Sequence, residues 1–103
     1  MKVLVISFIK TIAMATVKFT SALERFFPGI KEIPARGHTL REILDEVEAG
    51  YPTLCSYLLD EQGGLRGHVN IFIDGGIIND REGLSDPLSQ DSEIYIIQAL
   101  SGG

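Results

Sequence analysis

The segment from Thr39 to Gly50 holds the clearest helical pattern of the chain, and a single helix of this kind restricts the possible folds. Its apolar residues recur three or four positions apart, while charged residues fill most of the other positions. Thr39 stands at the N-cap position, Glu42 completes a predicted capping box, and Gly50 followed by Pro52 predicts the C-terminal end. The apolar positions are Leu40, Ile43, Leu44 and Val47. One amphipathic helix buries one stripe of side chains, so we expect it to cover one face of a sheet.

Short strand patterns lie on both sides of this helix. The predicted strands are, in chain order, "TVKFTSAL", "IKEIPA", "HVNIFIDGG", "IIN" and "SEIYIIQAL". Pro28 and Gly29 mark the turn between the first two, and a short helical turn is predicted through Leu54, Leu58 and Leu59. The order β-β-α-short helix-β-β-β predicts an α+β fold. We expect a mixed sheet of about four to five strands, covered by one main helix plus a short helix.

The last predicted strand leads directly to the C-terminus. Because it is almost wholly apolar from Ile94 to Ile97, we expect it in the centre of the sheet, with a neighbour on each side. The chain then ends at Ser101, Gly102 and Gly103. The four residues from Leu100 onward, if extended, reach about 13 Å beyond the sheet.

The terminal carboxylate is the one chemical group that this ending presents unusually. Its reference pKa is about 3.5, so it is ionised at neutral pH and reacts as an electrophile only after activation, for instance as an acyl-adenylate. Gly102 and Gly103 have no Cβ, so the tail can thread a narrow channel of a partner enzyme. Elsewhere the sequence has no phosphate-binding loop and no recognisable catalytic set. The pattern predicts a carboxylate handle on which a partner enzyme acts.

Charge and cysteine content exclude several functions. The net charge of the 103 residues is −5, and the half from Pro52 onward carries eight Asp/Glu against two Lys/Arg. This disfavours nucleic-acid binding, which needs a basic surface, and favours a partner with a basic docking surface. The single cysteine, Cys55, cannot form an internal disulfide and has no partner at metal-ligand spacing. We therefore expect no metal site, a cytoplasmic location and a small, buried hydrophobic role for Cys55.

The start of the chain, "MKVLVISFIKTIAMA", allows three interpretations. It resembles a short signal peptide, it is β-branched enough for an extra edge strand, or it precedes a true start at Met14. Its apolar run is too short for a membrane-spanning helix, so no membrane association is expected. We treat residues 1–13 as an N-terminal extension and residues 14–103 as the domain.

Three stretches are similar to the ubiquitin-like sulfur carriers of the MoaD/ThiS family. They are the helix and turn "TLREILDEVEAGYPTL", the strand and turn "VNIFIDG", and the end "GLSDPLSQDSEIYIIQALSGG". The resemblance covers about residues 14–103 and implies the β-grasp (ubiquitin-like) fold. One departure from the family pattern is Gln98, where relatives often have proline.

The resemblance implies a function for the tail. Gly103 would be adenylated by an E1-like enzyme of the MoeB/ThiF type, which uses ATP, and then converted to a thiocarboxylate. The sulfur acceptor would be the large subunit of molybdopterin synthase or a pyridoxal-phosphate-dependent cysteine synthase. The chain itself would bind no cofactor and have no active site of its own, while Gly102, Ser101 and Leu100 would enter the partner. Two alternatives stay open: a ubiquitin-like protein modifier and a β-grasp binding module.

Alternation in the last strands predicts a docking surface beside the tail. If the helix packs on the face of Val69, Ile71 and Ile73, then Phe72 points to the opposite face. On the last strand, Glu93, Tyr95 and Ile97 share that opposite face. An exposed aromatic and aliphatic patch next to the tail would bind a partner. The alternatives are that the N-terminal extension covers this face or that a bulge shifts the alternation.

Overall fold

The computed structural model describes residues 13–98 and contains an α+β fold. The strands are β1 (Met14–Phe19), β2 (Glu32–Arg36), β3 (Val69–Ile73), β4 (Gly76–Ile77) and β5 (Glu93–Gln98), and the helix is α1 (Leu40–Gly50). Short 3₁₀ helices occupy Ser21–Arg25 and Leu54–Tyr57. The second of them confirms the predicted helical turn. The first replaces the end of the first predicted strand, which stops at Phe19.

The five strands form one mixed sheet in the order β2-β1-β5-β3-β4. Strands β1 and β5 run parallel, whereas the pairs β1–β2, β3–β5 and β3–β4 are antiparallel. The last strand therefore lies in the centre, between the first and the third, as its apolar sequence predicts. Pairing on both sides satisfies the backbone groups of β5 and fixes its position.

The hydrophobic core lies between α1 and one face of this sheet, which we call the inner face. The helix contributes all four predicted apolar residues, each at most 2% exposed. From the sheet, every second residue of β1, β3 and β5 points into the same core. These sheet residues include Ala15, Val17, Phe19, Val69, Ile71, Ile94 and Ile96. The helical and strand periodicities of the sequence thus meet in one core.

The N-terminus of α1 is capped in a slightly different way from the prediction. The Thr39 hydroxyl accepts the N–H of Glu42 at 3.3 Å, as expected. The Glu42 carboxylate, however, accepts the backbone N–H of His38 at 2.7 Å. The reciprocal bond of the predicted capping box is therefore displaced by one residue, because the side chain of Glu42 reaches past the cap to the residue before it.

The loop before β5 supplies two further partners for the start of α1. The backbone N–H of Leu40 donates to the Asp86 carbonyl at 3.0 Å, and that of Arg41 donates to the Leu84 carbonyl at 2.9 Å. These N–H groups belong to the first helical turn, which has no internal acceptors. The helix start therefore holds the loop that leads into the last strand.

Candidate functional site: the last strand and the outer face of the sheet

Strand β5 carries the chain out of the centre of the sheet. Its residues Ile94 and Ile96 are 0% and 1% exposed in the core, and Gln98 is the last residue that the structure describes. The predicted tail residues Leu100, Ser101, Gly102 and Gly103 lie outside the described residues. Strand β5 is thus fixed by two paired neighbours up to Ile96, and by β3 alone at Ile97 and Gln98, from which the tail starts.

A side-chain contact lies at the end of β5. Gln98 pairs with Val69 at the start of β3, and its side-chain Nε2 lies 3.3 Å from Nε2 of His68. The two residues are 30 positions apart, so their proximity depends on the β3–β5 register. The sequence analysis did not predict this contact.

The face of the sheet opposite α1, which we call the outer face, carries the predicted docking residues. Tyr95 and Ile97 are 46% and 38% exposed, while Phe72 is half-buried and lies directly opposite Tyr95 in the β3–β5 register. The alternation predicted for these strands is therefore present, without a bulge that would shift it. Two further apolar residues of this face, Met14 and Ile77, are also exposed, and the sequence analysis did not single them out.

A shallow pocket of about 550 Å³ opens on this face. It is lined by Phe72, Asp74, Gly75, Glu93, Tyr95 and Ile97. The pocket thus combines the three predicted apolar residues with two carboxylates at one end. Apolar surface with a few polar groups at its border is typical of a protein-binding patch.

Lysine 18 connects the polar and aromatic parts of the outer face. Its Nζ lies 3.2 Å from Oε1 of Glu93 and 6.0 Å from the centroid of the Tyr95 ring. The hydrogen bond and the charge of Glu93 together raise the pKa of Lys18 above its usual value. Because Lys18 lies on β1 and Glu93 on β5, the pair joins the two parallel strands across the face.

Asp74 fixes the start of β5 against the β3–β4 turn. Its carboxylate accepts the Ser92 hydroxyl and the backbone N–H of Glu93, both at 2.9 Å. Asp74 and Gly75 both have positive φ angles, 51° and 88°, as the tight turn between β3 and β4 requires. The turn therefore determines the shape of one end of the pocket.

Cys55 does not line the pocket of the outer face, and its surroundings make its thiol unreactive. Its thiol is half-buried and donates to the Leu44 carbonyl at 3.4 Å. Burial, with a smaller contribution from the charge of Glu48, raises the pKa of the Cys55 thiol to about 12. Since the thiolate is the reactive form of cysteine, Cys55 is a poor nucleophile here and packs as a small hydrophobic residue.

Within residues 13–98, no cluster of histidine, cysteine or acidic residues has the arrangement of a metal site. No helix in the same part of the chain has the length and apolarity to cross a membrane.

The fold is that of a ubiquitin-like β-grasp domain, with the last strand in the centre of the sheet. The model of the ThiS family matches residues 17–103, which is most of the chain. The chain therefore belongs to the ThiS family, and the predicted family resemblance and fold are both confirmed.

Individual relatives agree with this assignment. The sulfur carrier protein CysO of Mycobacterium tuberculosis is 28% identical over 90 residues, which cover 85% of this chain and 97% of CysO. Among solved structures, a chain of the Amycolatopsis orientalis BexX/CysO complex superposes with a TM-score of 0.76 at 26% identity, covering 86% of this chain and 99% of that chain. The small archaeal modifier protein 1 (SAMP1) of Methanosarcina acetivorans has a TM-score of 0.71 at 32% identity, covering 89% and 98%. The family and the similarity to CysO support the sulfur-carrier role predicted from the sequence.

Proposed function

We propose that this chain carries sulfur as a thiocarboxylate on Gly103 and delivers it to a partner enzyme. The observation that carries this proposal is the match to the ThiS family from residue 17 through Gly103, in a fold whose central strand leads to that residue. Residues 14–103 form the carrier domain in this proposal, and residues 1–13 are an extension of it. The cytoplasm is the proposed location.

The chemistry begins at the terminal carboxylate. An oxygen of Gly103 attacks the α-phosphate of ATP in an E1-like enzyme of the MoeB/ThiF type, forming an acyl-adenylate and releasing pyrophosphate. A sulfur nucleophile at the oxidation level of sulfide then attacks the carbonyl carbon and displaces AMP, which leaves the thiocarboxylate. Gly102 and Gly103 suit this step because neither has a Cβ to block the approach. ATP and sulfur both enter through partners, so the chain needs no cofactor or active site of its own.

Docking of the partners is assigned to the outer face. Tyr95 and Ile97 lie on β5 with Phe72 beside them, so a partner that covers these residues also receives the tail. Ser101 and Leu100 would occupy the entrance of its channel. The excess of acidic residues from Pro52 onward favours a basic surface around that entrance.

Two enzymes remain as sulfur acceptors: the large subunit of molybdopterin synthase and a pyridoxal-phosphate-dependent cysteine synthase. The similarity to proteins named CysO supports the second. Each would hold its small-molecule acceptor at the end of the channel that receives Gly103.

Intact-mass measurement tests the proposal on protein isolated from its own cells with the native C-terminus. We expect a fraction of the protein to show the mass of one oxygen replaced by sulfur, located on Gly103 by fragmentation. Deleting Gly103 removes the reacting carboxylate, so we expect complete loss of this form and an unchanged denaturation midpoint. Replacement of Gln62, which is exposed in a distant loop, by alanine is the control and retains loading. If neither this mass nor adenylation by an E1-like enzyme is found, the carrier proposal is wrong.

A second candidate, a ubiquitin-like protein modifier, is supported by the 32% identity to SAMP1 of Methanosarcina acetivorans. Here the activated Gly103 would be attacked by a lysine amine of a target, forming an isopeptide bond and releasing AMP. Adducts in a cell lysate that withstand thiols and contain the Gly103–lysine linkage would support this function.

A further inference from the structure

The outer face carries most of the large hydrophobic residues that are exposed in the described part of the chain. Five large hydrophobic residues are exposed between residues 13 and 98, and four of them, Met14, Ile77, Tyr95 and Ile97, belong to this face. Phe26 is the exception. Exposed apolar residues concentrated on one side of a small domain indicate a surface that binds another segment or protein.

The chain enters the fold beside this face. Met14 starts β1, where its carbonyl accepts the N–H of Asp91 at 2.9 Å. Lys18 lies four residues after Met14 on β1, which corresponds to a distance of about 13 Å along the strand. Tyr95 pairs with Lys18 on the neighbouring strand β5. Residues 1–12 span up to about 40 Å when extended. They are therefore long enough to turn back and cross the whole face.

The composition of residues 1–12 complements the pocket. Eight of these twelve residues are apolar, and the charged ones are Lys2 and Lys10. The pocket combines apolar side chains with the carboxylates of Asp74 and Glu93, of which Glu93 also pairs with Lys18. Apolar residues with flanking lysines match an apolar pocket with acidic residues at one end.

The edges of the sheet are less suitable than the outer face for binding residues 1–12, because they present few free backbone N–H groups. The odd-numbered residues on either side of β2 bond to β1, since the N–H of Gly37 donates to the Ala13 carbonyl and the Lys31 carbonyl accepts the N–H of Phe19. The N–H groups of the even-numbered residues of β2 therefore face away from β1. Of these even positions, Pro34 has no N–H, and Arg36 donates its own to the Glu46 carboxylate.

The opposite edge is β4, which is only two residues long. Neither edge presents a continuous row of free donors and acceptors, so the extra edge strand considered from the sequence is disfavoured.

We propose that residues 1–12 dock on the outer face and cover Phe72, Tyr95 and Ile97. A partner enzyme that uses this face then has to displace them, so the segment lowers the affinity of the domain for such a partner. This inference concerns the surface of the free protein and stands whether or not Gly103 carries sulfur.

Photo-crosslinking within the full chain tests the inference. Tyr95 is replaced by the photoreactive amino acid p-benzoylphenylalanine, and the dilute protein is irradiated, digested and analysed by mass spectrometry. We expect position 95 to be joined to residues 1–12 of the same molecule. The control places the same amino acid at Asp45, on the exposed face of α1, where no crosslink to residues 1–12 is expected. Absence of the crosslink from position 95, or its occurrence only in dimers, overturns the proposal.

A substitution in the segment provides a second test. Phe8 is its largest apolar residue, so Phe8→Asp should lower the crosslink yield from position 95 at least about tenfold. The matched control, Thr11→Asp, adds the same charge at a polar position and should have a smaller effect. Equal yields from the two variants would show that apolar docking does not hold the segment on the face.

Discussion

The two faces of the sheet differ although the same strands build both of them. On β5, Ile94 and Ile96 are 0% and 1% exposed beneath α1, whereas their neighbours Tyr95 and Ile97 are 46% and 38% exposed on the outer face. All four residues are large and hydrophobic. Position in the strand, and not residue type, therefore decides whether such a side chain contributes to the core or to a surface available for binding.

The two faces of the sheet therefore serve different roles: the inner face stabilises the fold and the outer face is available to bind a partner. The inner face is covered by α1 and by loops that hydrogen bonds fix to it, so its residues are constrained by packing. Within residues 13–98, the outer face consists of paired backbone with exposed side chains such as Tyr95 and Ile97. A partner can use that face without disturbing the core, because strands β1 and β3 hold β5 in place from both sides.

Neighbouring substitutions on β5 test this separation with the largest expected effect. Ile96→Ala leaves a cavity in the core and should lower the free energy of unfolding by about 2–5 kcal/mol. Ile97→Ala removes a side chain from the exposed face and should cost about 1 kcal/mol or less. Chemical denaturation of both variants gives the comparison. Equal losses would mean that the outer face is part of the stabilising core.

The sequence predicts these faces because alternation is a local property. The positions of Phe72, Tyr95 and Ile97, the helix and the central last strand all follow from periodicity or composition and are found in the structure. Contacts that depend on pairing between distant segments were not predicted. The Lys18–Glu93 pair is one such contact, since the two residues are 75 positions apart.

The helix cap shows a smaller limit of sequence reasoning. The motif identifies Thr39 and Glu42 correctly, but the side-chain rotamer decides which backbone N–H the carboxylate reaches. The tail residues, on which the proposed function depends, lie outside the described residues. The role proposed for them follows from the chemistry of the C-terminus and from the family.

Charged substitutions on the outer face should affect recognition more than folding. Phe72→Asp and Ile97→Asp each place a carboxylate in the proposed interface and should lower the rate of activation by an E1-like enzyme about tenfold or more. Ala49→Asp, on the exposed side of α1, is the control and should leave activation unchanged. Circular dichroism checks that each variant is folded. If Phe72→Asp unfolds the domain, Phe72 belongs to the core and the assignment of this face is wrong at that position.

Acid should weaken the loop that the Asp80 carboxylate holds together. Hydrogen bonds from the Ser85 hydroxyl and from backbone N–H groups, including that of Gly83, lower the pKa of Asp80 from 3.8 to about 2. Because the pKa is lower in the folded state, this contribution is complete above pH 3.8 and is lost as the pH falls towards 2. Asp80→Asn should therefore lower the free energy of unfolding at neutral pH. The variant should also lose less stability than the original protein as the pH falls from 3.8 to about 2. Denaturation curves across this range measure the effect, and an unchanged pH dependence would exclude Asp80 as a contributor.

The smallest effect is expected from the ion pair of the outer face. Lys18 is half-buried but its partner Glu93 is exposed, and pairs open to solvent contribute little because water and salt weaken the attraction. Lys18→Gln should leave the denaturation midpoint almost unchanged at neutral pH. Since Glu93 raises the pKa of Lys18 above 10.5, the pair persists at neutral pH and its contribution disappears only as the pH rises through that higher value. A large loss of stability in Lys18→Gln would show that the two parallel strands need this link, and that the outer face stabilises the fold as well as presenting a binding surface.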